Sequence, residues 1–214
     1  VQLFLPGATD TWPRNTIVVT GENALQVLVL RQESPRDDYK LYQYSELLPD
    51  ISFPEVPAEI VGANALKEDN KFLSMDPASL VEGLGNLLNR GFDSPWALLI
   101  DPDNQYVSDV SAVQLGLQDT LSNANLSFGH ALSESQPVIL ANSEGGALVA
   151  LYMIDTYTII PKEPGDAVAI TGEESILLGT GGSATGIETK YGAMLLFNVP
   201  ASGSDERATL LGAT

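Results

Sequence analysis

The chain has 214 residues, with no cysteine, one histidine, and 28 acidic side chains against 10 basic ones, a formal net charge of −18. Disulfides, thiol nucleophiles and cysteine-based metal sites are excluded, and a Ser-His-Asp triad would have to run through His130. Hydrophobic residues make up 44%, which is enough for a core, so the charge does not signal disorder.

Residues 1–90 carry 13 acidic and 7 basic side chains, and residues 91–214 carry 15 and 3. Such a surface repels phosphate backbones and anionic headgroups, so nucleic acid and direct membrane insertion are not expected. Acidity of this kind serves solubility, and a cation-rich partner is the sharper alternative. No apolar run is long enough to span a bilayer and no signal peptide is visible. The chain starts at Val1 rather than methionine, and Val1 to Leu5 already read as strand. The expectation is a piece of a longer protein, with any targeting segment upstream.

The predicted elements run as follows. Ile17–Thr20 and Leu25–Leu30 flank the polar connection Gly21-Glu22-Asn23-Ala24 and read as a β-hairpin. Tyr39 to Tyr44 alternates aromatic or apolar with polar residues and reads as a third antiparallel strand. Pro49, Pro54 and Pro57 then interrupt the chain, so 51–75 is expected to be a linker between strands at 1–50 and a domain at 76–214. Asp76-Pro77 opens a helix, with aspartate as cap and proline at its first position. Leu80, Val81, Leu84, Leu87 and Leu88 follow at helical spacing, and Gly91 ends it. A short helix is expected at Ser94-Pro95-Trp96. A longer one is expected from about Gln105 to Ser122, with Val110, Val113, Leu117 and Leu121 on one face.

After Asn125 the pattern is strand throughout: 126–132, 137–141, 147–160, 167–178, 191–199 and 208–211. The stretch 17–27 echoes 138–149, which suggests a duplicated α+β unit whose first copy lacks its helices. Helices followed by long antiparallel strands predict an α+β fold. Its sheet would curl into a cone around a helix, as in cystatin-like and ketosteroid-isomerase-like proteins.

Three positions are pocket candidates: His130, Phe128 and Tyr152. His130 is in phase with Leu126, Phe128 and Leu132, on the apolar face of its strand. There it is either a core histidine or a general base that also orients a ligand. Asp101, Asp103 and Asp109 resemble a calcium loop, but Tyr106 stands at the glycine position and Ala112 at the terminal glutamate. Gly179 to Gly186 lacks the lysine of a phosphate loop and precedes a strand. Hence no metal, no cofactor and no catalytic residue is assigned. Glu134, Glu144, Asp155 and Glu163 could supply a glycosidase-like pair. Tyr39, Tyr42, Tyr44, Trp12 and Trp96 could stack on sugars or pack in the core.

Several motifs carry a resemblance. They are Trp12-Pro13-Arg14, Tyr39-Lys40-Leu41 with Leu47-Leu48-Pro49, the Asp76-Pro77 helix ending near Gly91-Phe92-Asp93-Ser94, Glu144 to Val149, and Val199 to Gly203. In this order they resemble an actinobacterial group of secreted or lipid-anchored proteins with a domain of unknown function. The resemblance implies an extracytoplasmic address, with a lipoprotein signal upstream, and transfers no catalytic residue. The leading expectation is a non-catalytic binding or interaction domain of a Gram-positive cell envelope, with a protein, small-molecule or glycan partner. The alternatives are a small-molecule pocket protein or enzyme with His130 in the pocket, and a carbohydrate-active module.

Overall fold

Ile17, Val19, Val27 and Val29 alternate with more polar neighbours and are all buried, so these segments fold as strands with one face inward. The first four strands are β1 (Gln2–Phe4), β2 (Arg14–Thr20), β3 (Gln26–Gln32) and β4 (Lys40–Leu47). Next come the helices α1 (Pro77–Arg90) and α2 (Gln105–Thr120). Then follow β5 (Ala124–Leu132), β6 (Val138–Ala141), β7 (Ala147–Pro161), β8 (Val168–Ile170), α3 (Gly172–Leu178), β9 (Gly182–Ala184), β10 (Ile187–Val199) and β11 (Thr209–Ala213). This computed structural model describes residues 2–8, 10–21, 25–170, 172–179 and 181–214. The hairpin connection Glu22-Asn23-Ala24 and the loop residue Thr180 lie outside the described residues.

One antiparallel sheet carries nine strands in the order β1-β2-β3-β4-β11-β10-β7-β5, with β6 also paired to β7. The sheet curls until its ends are joined by a strap at residues 63–66. The Ala63 N–H donates to the Leu5 carbonyl, and the Leu66 N–H donates to that of Ile139 in β6. Isolated bridges at Pro6–Ala63 and Ala65–Leu140 complete the ring. Inside it, Phe4, Ile17, Val29, Leu140, Leu148 and Leu196 belong to one buried cluster. The stretch 51–75 thus holds no named strand or helix but supplies the strap, and one core draws on strands from both sides of it.

The other face of β7 and β10 is equally apolar. Val149, Leu151 and Met153 of β7, with Leu195 and Phe197 of β10, pack against Leu80, Leu84 and Leu87 of α1. Strands buried on both faces read as continuous apolar runs, which is why 147–154 shows no alternation in sequence.

The cone is overturned. Strand makes up 41% of the chain and helix 20%, and the sheet is one large antiparallel surface with few helices. The helices lie outside the curled sheet instead of within it. Two apolar faces on β7 and β10 need two covers: the N-terminal strands close over one and α1 covers the other. The expected duplicate unit also disappears, because hairpins β2–β3 and β6–β7 share a single core. Among the described residues of the strand expected at 167–178, Val168–Ile170 is strand and Gly172–Leu178 is helix.

Candidate functional site

β7 and β10 run well beyond the curled, strapped part of the sheet. Beyond it, β5, β7 and β10 form a three-stranded extension whose register sets a ladder of side chains. His130 lies opposite Asp155, and Phe128 lies opposite Tyr157. Across the next pair, Asp155 lies opposite Tyr191. All five side chains lie on the helix-facing side. Phe128 and Tyr157 stack with ring centroids 6.1 Å apart, and Tyr157 and Tyr191 continue the stack at 6.4 Å.

α2 roofs this ladder and meets it at its first turn, where Tyr106 reaches Asp155. Asn104 caps the helix by accepting from the Val107 N–H at 3.0 Å. Of its sixteen residues only Val107 and Gln114 are buried. Between roof and ladder remains a groove of about 550 Å³. Val110, Val113 and Leu117 line one side, and Phe128, Tyr157 and Tyr191 the other. That size suits a drug-sized molecule.

The polar groups gather at one end. His130 Nδ1 and Asp155 Oδ1 are 2.6 Å apart, with 5% of the histidine side chain and 23% of the aspartate side chain exposed. A carboxylate only accepts, so Nδ1 carries the proton and donates, a charge-assisted bond. The other ring nitrogen, Nε2, is buried and makes no hydrogen bond. A Cβ at Gly85 would stand 2.7 Å from the His130 Cβ, so the glycine of α1 is what admits the imidazole. Thr189 of β10, opposite Tyr157, has a second buried and unpartnered oxygen.

Tyr106 stands at the start of α2. Burial holds its phenol well above the usual tyrosine value, and the Asp155 carboxylate adds to this by charge and by a hydrogen bond. The folded state therefore keeps the proton when the unfolded chain, ionising near pH 10, has lost it. Tyr106 stabilises fully below that pH and progressively less above it. Urea midpoints measured from about pH 8 to 11 are expected to fall more steeply for the wild type than for Tyr106→Phe. Parallel curves would remove Tyr106 from the Asp155 cluster.

The expected pocket residues divide. Phe128 and His130 line the groove. Tyr152 lies on the opposite face of β7, its phenol ring over Gly192, where an added Cβ would strike it. The physical reason is the two-residue period of a strand: Asp155 and Tyr157 share a face that Tyr152 cannot reach. Of the four carboxylates raised for a glycosidase-like pair, only Asp155 lines the groove. The stacking candidates lie elsewhere: Arg14 covers Trp12, Arg31 covers Tyr42, and Trp96 packs on Gly83 of α1. Tyr106, Tyr157 and Tyr191 were not singled out from sequence. Tyr157 was within reach, because it continues the period of Met153 and Asp155 along β7.

The acidic run before α2 is engaged locally. Asp101 pairs with Arg207 at 2.9 Å, and Asp109 accepts from Gln105 at 2.6 Å. Among the described residues no group of three or more His, Asp or Glu could hold a metal ion. No helix among them is long and apolar enough to cross a membrane.

No family model, no curated protein and no solved structure matches this chain. The resemblance to the actinobacterial group rests on its motifs alone.

Proposed function

We propose that the chain is a non-catalytic binding domain whose ligand is a small molecule held in the groove between α2 and the β5–β7–β10 extension. One observation carries the reading: an apolar groove of about 550 Å³ that ends in a buried His130–Asp155 pair with an unpartnered Nε2. Apolar walls with a few convergent polar groups are what a ligand site requires. Both walls present groups that a filled core would have covered: Val113 of the roof is 62% exposed and Tyr191 of the floor 46%.

A general-base enzyme fits less well. Catalysis needs Nε2 within hydrogen-bond reach of substrate, and here it is buried. A glycan module would offer polar partners along its cleft, whereas this groove is apolar along most of its length. The motif resemblance adds an extracytoplasmic, cell-envelope address to the proposal. Protease accessibility on intact native cells tests that address.

The groove is tested with Nile red, a neutral apolar dye. Saturable one-to-one binding is expected. Leu117→Trp fills the space between roof and floor and should weaken it roughly ten-fold or more, about 1.4 kcal/mol. Ile176→Ser, on the exposed apolar face of α3, should leave it unchanged. Loss of dye binding in Ile176→Ser but not in Leu117→Trp would assign the dye to α3 and sink the proposal.

A further inference from the structure

The polar end of the groove is one-sided in its chemistry. Asp155 and Asp109 both line it, and among its described lining residues there is no lysine or arginine. His130 is the one basic side chain among those described lining residues, and its hydrogen, like that of the Tyr106 phenol, already goes to Asp155. Acceptors therefore gather here and ask for donors or positive charge. The aromatic stack points the same way. The faces of Phe128, Tyr157 and Tyr191 carry the negative side of the ring quadrupole and attract cations, most strongly where water is excluded. Elsewhere on the chain, Arg31 lies 3.6 Å over Tyr42 and Arg14 lies 4.2 Å over Trp12. The net charge of −18 adds a field that draws cations and repels anions before contact.

We propose that the groove selects a cationic amphiphile, with an apolar, aromatic body over Phe128, Tyr157 and Tyr191 and a protonated amine against Asp155 and Asp109. This rests on the binding reading above and narrows it to a ligand class. The apolar walls supply affinity through area removed from water. The carboxylates supply selection, because a ligand anion would enter beside two like charges, and a neutral ligand would leave Asp109 without a counter-charge.

Three probes of matched body test it by calorimetry near neutral pH: 4-phenylbutylammonium, 4-phenylbutanol and 5-phenylpentanoate. The ammonium is expected to bind roughly ten-fold tighter than the alcohol, and the carboxylate weakest. Asp155→Asn should reduce the ammonium's advantage over the alcohol to about two-fold or less while the alcohol's own affinity holds. Asp109→Asn should reduce it part of the way. Because Asp109 is exposed on α2, this second variant folds even if the first does not. Glu188→Gln, an acidic residue that does not line the groove, controls for the general field and should change nothing.

The failures are separable. Equal binding of all three probes, abolished by Leu117→Trp, keeps the groove and overturns the cation preference. A preference that Asp109→Asn leaves undiminished, or that Glu188→Gln weakens equally, belongs to the acidic surface and overturns it too. Probes that bind indifferently to Leu117→Trp take down the groove reading itself.

Discussion

Phe197→Ala is expected to destabilise the protein by about 3–5 kcal/mol, the cost of removing a large ring from a packed interior. Phe197 is fully buried on β10, in the cluster shared by α1, β7 and β11. Its Cα lies opposite Val149 of β7, and the ladder to β11 shifts register between Leu196 and Phe197. The backbone around it is held from both sides, so the walls of the cavity cannot collapse easily and the cost should reach the upper part of that range. Urea unfolding should show a lower midpoint with an unchanged slope. Phe92→Ala is the control. Phe92 is 74% exposed, and its loss should stay within about 0.5 kcal/mol. A Phe197→Ala cost near that of Phe92→Ala would mean that α1 does not cover this face of the sheet.

The buried face of α1 was legible because helical periodicity is a local signal. Leu80, Val81, Leu84, Leu87 and Leu88 mark it in sequence and are all buried. The cap was legible for the same reason: Asp76 accepts from the Ser79 N–H at 2.7 Å, and Gly91 beyond the last turn has φ 57. The curled sheet was not legible. Its closure depends on β4 meeting β11 and on the strap at 63–66 reaching from Leu5 and Pro6, just past β1, to β6, and no pattern of apolar residues encodes pairings between distant segments. The cone followed from reading the helices as something for the sheet to wrap, although the apolar run at 147–154 signals strands buried on both faces. The candidate site shows the same division. Alternation along β5 put Phe128 and His130 on one face, and α2 periodicity grouped Val110, Val113 and Leu117. The apolar run of β7 carries no alternation that sets its facing, and a one-residue difference in a strand puts Tyr152 on the opposite face. Asp155 was named as one carboxylate among four, and only the pairing of β5 with β7 singles it out.

That pairing makes Asp155→Ala the second large effect. The substitution removes the acceptor of His130 Nδ1, whose partner nitrogen already has none. An imidazole that is 5% exposed would then be buried with no hydrogen bond. Stripping one member from a buried pair costs about 3–5 kcal/mol when both are enclosed. Asp155 is 23% exposed, and water can reach its place, so about 2–3 kcal/mol is expected. Asp155→Asn keeps an oxygen that can accept from Nδ1 and should cost about 1 kcal/mol. The triple variant Tyr106→Phe/His130→Phe/Asp155→Leu removes both donors and their acceptor together and restores apolar packing against Gly85. Its stability should return to within about 1 kcal/mol of wild type, because a buried polar pair contributes little net against a well-packed apolar one. Urea midpoints of the four proteins measure this cycle, and 4-phenylbutylammonium binding to the triple variant gives the functional half. A stable protein with no preference for the ammonium would separate the two roles of the pair: the curled sheet and α1 hold the fold, and His130 with Asp155 serves the ligand. If the triple variant instead stays as unstable as Asp155→Ala, the pair is a structural strut of the β5–β7 ladder, and its place at the end of the groove carries no functional weight.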